Sequence, residues 1–334
     1  MTGVFNQQSA IDNQEFTRGH TMGRMLALSA STILAVAGLS AAVPQSRPEG
    51  QREAGRREAG LRTVYVTVTD KTGSPVTDLA PGEFVIKEGG KTRDVVEAGI
   101  TNVPLRIALL VDDNGTGIFR YGVAKFIERL QGRAEFALTT VTGQNLKLVD
   151  YTTDAALLTT AIGQLTARPG TNDGGQLLEG IFEAAKDFQK RATRRPIIVV
   201  LTVGGEEHSP LPAHHVLDEL QKSGAALHVI AMNSSALRAT AAVSRPGALL
   251  EENLNLSEVL GDGPKQSGGK REEIVASAGL TSGLQELAEA LRNQYAVSFS
   301  RSDPPKSGDK LSVSVKRSGV TVRAPVKLSN PLNQ

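Results

Sequence analysis

The sequence predicts an α/β protein: a doubly wound, Rossmann-like sheet with a discontinuous β-sandwich of Ig-like type formed by flanking N- and C-terminal strands. Three observations carry this expectation. Between residues 104 and 292, apolar runs of strand length alternate with segments of helical periodicity, as repeated β–α units do. Within that region, Ile107-Ala108-Leu109-Leu110-Val111 is continuously apolar, which is the pattern of a strand covered on both faces. Outside it, period-two segments stand at both ends: Val64, Val66 and Val68 before, and Leu311, Val313, Val315 and then Val320, Val322, Ala324 after.

In chain order, the N-terminus comes first. Arg18, His20 and Arg24 precede an apolar run from Met25 to Val43, which small residues close at Ser40-Ala41-Ala42 before Pro44. Basic, apolar and small residues in that order are a secretory signal, with cleavage expected near Ala42. Met22 or Met25 are alternative starts. A membrane anchor is the alternative reading of residues 1–43, because the run reaches the length of the shortest membrane spans. The protein is then expected to be exported, periplasmic or secreted, touching a membrane only through this segment if it stays uncleaved. Residues 44–61 contain Arg52-Glu53-Ala54-Gly55 and its repeat Arg57-Glu58-Ala59-Gly60, a solvated linker by composition.

Residues 62–101 form the first part of the β-domain. The strand around Val64–Val68 reads as half-buried, Phe84–Lys87 as a second strand, and Glu88-Gly89-Gly90-Lys91 as a hairpin turn. Two or three strands are marginal alone, so residues 294–328 are expected to complete the sandwich. The α/β body covers residues 102–293. Its strands are expected at Leu105–Val111, Glu135–Val141, Leu146–Tyr151, Pro196–Thr202 and Ala226–Ala231. Its helices are expected at Phe119–Leu130, Ala155–Leu165, Gln176–Lys190, Ala213–Lys222 and Gly283–Arg292. Residues 233–280 are polar and Gly-rich, without a clear period; a connection that long is functional or disordered.

The first strand of the body ends in oxygen-bearing residues at alternate positions, Asp112, Asn114 and Thr116. Open α/β sheets bind ligands at the carboxyl ends of their strands, and hard cations take oxygen ligands. This stretch resembles the first strand and metal-adhesion loop, Asp-x-Ser-x-Ser, of von Willebrand factor A domains. Residues 64–76, 84–91, 294–299 and 313–324 resemble the flanking β-segments of a bacterial family related to those domains, so the resemblance spans roughly residues 62 to 326. It implies a protein-binding module that is not an enzyme and that holds magnesium or another divalent cation (Mg2+) on its top loops, with an acidic residue of the protein partner completing the coordination.

The implied ligand set is degenerate here. Asp112 is kept, Asn114 replaces a Ser, and Thr116 keeps a hydroxyl. Aligning Gly174-Gly175-Gln176-Leu177-Leu178-Glu179 with the family's second loop puts Gly175 where a Thr belongs. In Thr202-Val203-Gly204-Gly205, Val203 follows Thr202 as the Asp follows the Thr of the family's Leu-Thr-Asp-Gly, so Val203 replaces the last Asp. Asp112, Asn114 and Thr116 remain the candidate metal residues. Asp113, Thr171, Asp173, Glu206 and Glu207 are the candidate partner-contacting residues. With no metal, the loop's polar residues would serve to cap the next helix.

Other function classes lack support in these residues. With no Cys among 334 residues, disulfides, thiolate zinc sites, Cys nucleophiles and a lipoprotein anchor are excluded. The net charge of +2 and the absence of a basic stripe argue against nucleic acid; the dense basic run from Arg47 to Arg62 is broken by glutamates. No small-molecule cofactor is expected: Gly115-x-Gly117 follows a strand, but Arg120 takes the third glycine position of a dinucleotide fingerprint, and no P-loop or Gly-x-Ser-x-Gly elbow occurs. Glu206-Glu207-His208 with His214-His215 gathers metal-binding residue types, yet matches no His-Glu-x-x-His spacing. Adjacent His214 and His215 should point to different helix faces. Two further readings stay open: a structural envelope protein with a dead metal site that binds through its β-domain, and an envelope hydrolase pairing His208 with Asp112 or Asp113.

Overall fold

A computed structural model describes residues 60–141, 143–166, 175–232, 250–300 and 309–329. The expected signal segment, nearly all of the expected linker, and Thr171 and Asp173 lie outside the described residues. Among the described residues, no helix is long and apolar enough to cross a membrane.

The chain begins with β1 (Leu61–Thr69), β2 (Phe84–Glu88), β3 (Lys91–Arg93) and β4 (Val95–Ile100). The body follows as β5 (Leu105–Asp112), α1 (Arg120–Leu130), β6 (Ala134–Thr140), β7 (Leu146–Thr152), α2 (Ala155–Gly163), α3 (Leu177–Lys190), β8 (Pro196–Thr202), α4 (Ala213–Ser223), β9 (Ala226–Met232), α5 (Leu250–Ser267), β10 (Arg271–Ile274) and α6 (Ala278–Arg292). The chain closes with β11 (Tyr295–Ser300), β12 (Leu311–Val315) and β13 (Thr321–Arg323).

The body is a six-stranded sheet in the order β10-β9-β8-β5-β6-β7, parallel except for the β6–β7 pair. The apolar run of β5 is explained by burial on both faces. Ile107, Leu109 and Val111 pack toward α1 and α6, meeting Val123, Phe126, Leu284 and Leu291. Ala108 and Leu110 face the opposite layer, with Ile181 and Phe188 of α3 and Val216 of α4. The residue-by-residue alternation is that of any strand; helices on both sides turn both of its faces into core.

The structure corrects the reading of residues 233–280 over their second half. Residues 233–249 lie outside the described residues, but α5 and β10 follow. Val259 and Leu260 of α5 join the core beside Leu227 and Leu220, although Gly261, Gly263 and Pro264 dilute the helical signal in the sequence. The turn at Gly268-Gly269 then leads into β10. Gly268 has a positive φ of 82°, and a side chain at Gly269 would run into the Leu227 backbone.

Two further sheets, β13-β1-β11-β4 and β12-β2-β3, enclose one apolar cluster. Both sheets mix strands from before and after the body. In the hairpin joining β2 to β3, Gly89 and Gly90 have φ of 58° and 80°, the left-handed pair that a tight type I′ turn requires. Glu88, buried at the end of β2, meets Arg62 at 2.7 Å and Arg93 at 3.5 Å, linking the two sheets by charge. The expected half-burial of β1 is corrected. Val64, Val66 and Val68 face the sandwich core, and Thr67 and Thr69 on the other side are also buried, because the α/β body covers that face.

Arg195, immediately ahead of β8, joins the sandwich to the body. It is buried; its Nε and Nη2 donate to Gln294 Oε1 at 3.1 and 2.8 Å, Nη1 to the Val103 carbonyl at 2.9 Å and Nη2 to the Leu291 carbonyl at 2.5 Å. Gln294 Nε2 in turn donates to Thr67 Oγ1 at 3.0 Å. The guanidinium also lies 5.5 Å from the Tyr65 ring centroid. Burial lowers its pKa to about 10, so it stays charged at neutral pH. Arg195→Leu would strand three buried acceptors, each costing about 1–3 kcal/mol. We expect a fall of about 3 kcal/mol or more in unfolding free energy, read from urea denaturation as a lower midpoint.

Candidate functional site

The strand order places a switch point between β5 and β8. From β5 the chain proceeds outward to β6 and β7; from β8 it proceeds outward the other way to β9 and β10. A crevice opens at the carboxyl ends of such a strand pair. Asp112 and Thr202 sit there as register partners.

Asp112 is 5% exposed. Its Oδ2 accepts the Thr202 hydroxyl at 2.5 Å, and the Thr202 Oγ1 accepts the Gly204 N–H at 2.9 Å. Burial, followed by the negative charges of Glu207 and Asp113, pushes the Asp112 carboxyl up to about 6, against the lowering effect of Thr202. Thr202 was not among the residues singled out from the sequence. The signal that could have found it is its place at the end of β8, directly beside the end of β5.

The loop after β5 holds itself by its own backbone. Asp113 is buried, and its Oδ1 and Oδ2 accept the N–H groups of Gly115 and Gly117 at 2.9 and 2.7 Å. Asn114 takes a positive φ of 49° and donates from Nδ2 to the Gly204 carbonyl at 3.1 Å, bridging to the loop after β8. The exposed Thr116 donates its hydroxyl to the Asp113 carbonyl at 2.8 Å. Capping of the next helix is not what these side chains do: Phe119 stands at the N-cap of α1, which has no side-chain cap.

The remaining candidates separate by burial. Glu206 is partly exposed, with its Oε2 3.6 Å from His208 Nε2. Glu207 is 1% exposed and faces inward. Its Oε2 accepts the Leu177 N–H at 3.0 Å and its Oε1 the Ser209 N–H at 3.0 Å, so it serves the N-terminus of α3. Burial raises its pKa as well. Partner contact through Asp113 and Glu207 is therefore corrected, since both carboxylates are occupied below the surface. Gly175 pairs with the loop after β8, its N–H donating to the Glu206 carbonyl and its carbonyl accepting from His208 N–H, both at 2.8 Å.

These residues do not fit a divalent cation. Oxygen donors must converge on one point, yet Thr116 is folded back on Asp113 and the Asn114 amide is turned to Gly204. Gly175 offers no side chain, although a Cβ there would lie 3.6 Å from Asp112 Oδ1. Val203 is apolar and packed in the core. Among the described residues, no group of three or more His, Asp or Glu is arranged to hold a metal. The His-rich segment does not assemble a hydrolytic pair, because no hydrogen bond joins His208 to Asp112 or Asp113 among the described residues. His214 and His215 are both exposed, and their rings lie 4.3 Å apart. They share one surface instead of pointing to separate faces.

No protein-family model matches the chain, and no curated protein matches it. Solved structures do. Several of them are described as von Willebrand factor A domains. One, a von Willebrand factor type A structure from Catenulispora acidiphila, shares 11% identity over 82% of this chain and 75% of its own, with a TM-score of 0.42. The conserved hypothetical protein BatB from Bacteroides thetaiotaomicron shares 12% identity over 56% of this chain and 98% of its own, with a TM-score of 0.39. The vWF domain of the type V pili tip protein Mfa5 from Porphyromonas gingivalis shares 12% identity over 57% and 96%, with a TM-score of 0.39. None of them carries an activity, a metal or a partner over to this chain. The strand order and the switch point stand on this chain's own geometry.

A carboxyl whose folded pKa exceeds its unfolded value stabilises the fold below the unfolded pKa and loses that contribution as pH rises through the folded one. For Asp112 the window runs from about 4 to about 6. Asp112→Asn keeps an acceptor for Thr202 and removes the buried charge. We expect the variant to be more stable than the parent at pH 7.5 by roughly 1–3 kcal/mol, and the gain to vanish by pH 4. Urea denaturation of both proteins across pH reads this as a difference, which cancels the opposite dependence of the buried His228.

Proposed function

We propose that this chain is an exported, non-enzymatic protein-binding module of von Willebrand factor A type whose top loops engage a protein partner without a divalent cation. The observation that carries this reading is the state of the switch point. Its central carboxylate, Asp112, is buried against Thr202, while Asn114, Thr116, Gly204, Gly205, Glu206 and His208 present a partly or fully exposed polar rim above it. Such a rim suits contact with a protein surface, and among the described residues no activated nucleophile stands beneath it. Export rests on the basic, apolar and small-residue order ahead of Pro44.

A second reading has its own observation. Among the described residues, strand β4 pairs only with β11 and ends its sheet, with Val96 57% exposed. An open edge of this kind accepts an added strand from a partner.

Two measurements test these readings. Thermal unfolding in EDTA and then in millimolar magnesium, manganese or calcium is expected to give one midpoint throughout. A ligand of the folded state at 100 times its Kd would add about 2.7 kcal/mol, so a rise that disappears in Asp112→Ala would overturn cation independence. A photo-crosslinking residue placed at Thr116 is expected to capture a protein in an exporting host. Capture from Val96 and none from Thr116 would move the binding surface to the sheet edge.

A further inference from the structure

At the seam between the α/β body and the sandwich, away from the top loops, lies a cleft of about 60 Å³. Its walls include Thr67 of β1, His228 of β9, Lys270, Glu272 of β10, Leu287 of α6 and Arg323 of β13. His228 sits in the middle of its strand, opposite Val199, and is 4% exposed. Among the described residues, neither of its ring nitrogens has a hydrogen-bond partner. Buried polar groups in folded proteins are nearly always satisfied, so an imidazole with both nitrogens idle calls for an explanation.

The surroundings supply one. Lys270 is engaged by Glu272 at 2.6 Å. Arg323 is not so engaged: among the described residues, no hydrogen bond or ion pair reaches its guanidinium. Burial lowers the Arg323 pKa, with only the charge of Glu272 opposing. Burial and then the positive charges of Arg323 and Lys270 hold His228 neutral, lowering its pKa to about 3. A neutral imidazole has one N–H to donate. An idle imidazole and an idle guanidinium fork therefore line one cavity. Water would satisfy the imidazole but leave a half-buried cation unanswered, whereas an anion answers the cation and accepts the imidazole N–H.

We propose that this cleft binds a carboxylate, gripped by the two-pronged face of Arg323 and hydrogen-bonded by the His228 imidazole. The planar fork of arginine matches the two carboxylate oxygens. Glu286 of α6 also lines the cleft, so its formal charges balance; Lys270 and Glu272 answer each other, and Arg323 is the cation that no hydrogen bond or ion pair engages among the described residues. The carboxylate is either that of a small free acid or that of a glutamate side chain from an acidic peptide. This inference does not depend on the reading of the top loops.

The test titrates the full chain with sodium acetate and, separately, with an end-blocked Gly-Glu-Gly peptide, using sodium chloride of equal ionic strength as control. The readouts are the His228 imidazole resonance and the thermal unfolding midpoint. Expected is a saturable displacement of that resonance by a carboxylate and none by chloride. Arg323→Gln, which removes no hydrogen bond or ion pair among the described residues, is expected to weaken the affinity about tenfold or more, a loss of the order of one charge-assisted hydrogen bond. His228→Phe should fold without an unpaired polar atom and lose the carboxylate-dependent rise in midpoint. Displacement by acetate alone assigns the site to a small acid, and displacement by the peptide assigns it to a partner's side chain; either supports the proposal. No saturable displacement by either probe, or an unchanged affinity in Arg323→Gln, overturns it.

Discussion

Arg195 is a buried cation surrounded by carbonyl oxygens, with no carboxylate among its hydrogen-bond partners. Its partners belong to two distant stretches of chain: the entry to β5 at Val103, and the passage from α6 to β11, where Leu291 and Gln294 stand. Through Gln294 it also holds Thr67 of β1. Leaving any of these acceptors unpaired away from water is costly, so they are ordered together or not at all. The arginine thereby closes the body at the point where chain enters and leaves it, and fixes the sandwich against the same point. Strand β8 begins next to Arg195. Its seven residues, rising about 3.3 Å each, carry that constraint through the core to Thr202.

At the far end of β8 the same economy of polar groups decides what the loops can do. Three carboxylates, Asp112, Asp113 and Glu207, lie close together and are all buried. Each is held by hydroxyl or backbone N–H donors. In a metal-binding loop cluster a cation would cross-link the loops. In this chain hydrogen bonds take that place: Asn114 to Gly204, and Gly175 to Glu206 and His208. The top surface can thus be ordered by its own backbone, leaving the exposed rim free for contact.

Much of this was legible in the sequence because it rests on local periodicity. The continuous apolar run of β5, the helical spacing of Val123, Ile127 and Leu130, and the glycine pair at the hairpin each report a short-range requirement. Helix α5 was not legible. Its apolar residues are few and its glycines and Pro264 are helix-unfavourable, and its position is held by packing against β9 and α4. The site divides in the same way. The replacements at Gly175 and Val203 could be read from residue type. The inward turn of Glu207 could not, because its donors, Leu177 and Ser209, lie on opposite sides of a strand and a loop.

The sequence by itself determined the order of the elements, the strand that leads to the site, and that Gly175 and Val203, which carry no side-chain oxygen, stand where the resemblance expects donors. Each of these follows from the chemistry of a residue and its near neighbours. Only the tertiary structure decided which carboxylates are occupied, that Thr202 serves Asp112, that Arg195 ties the sheet of β1 and β11 to the body, and that His228 is buried with no hydrogen-bond partner among the described residues. Burial and hydrogen-bond satisfaction are properties of pairs that fold together from far apart in the chain, and no local pattern encodes them.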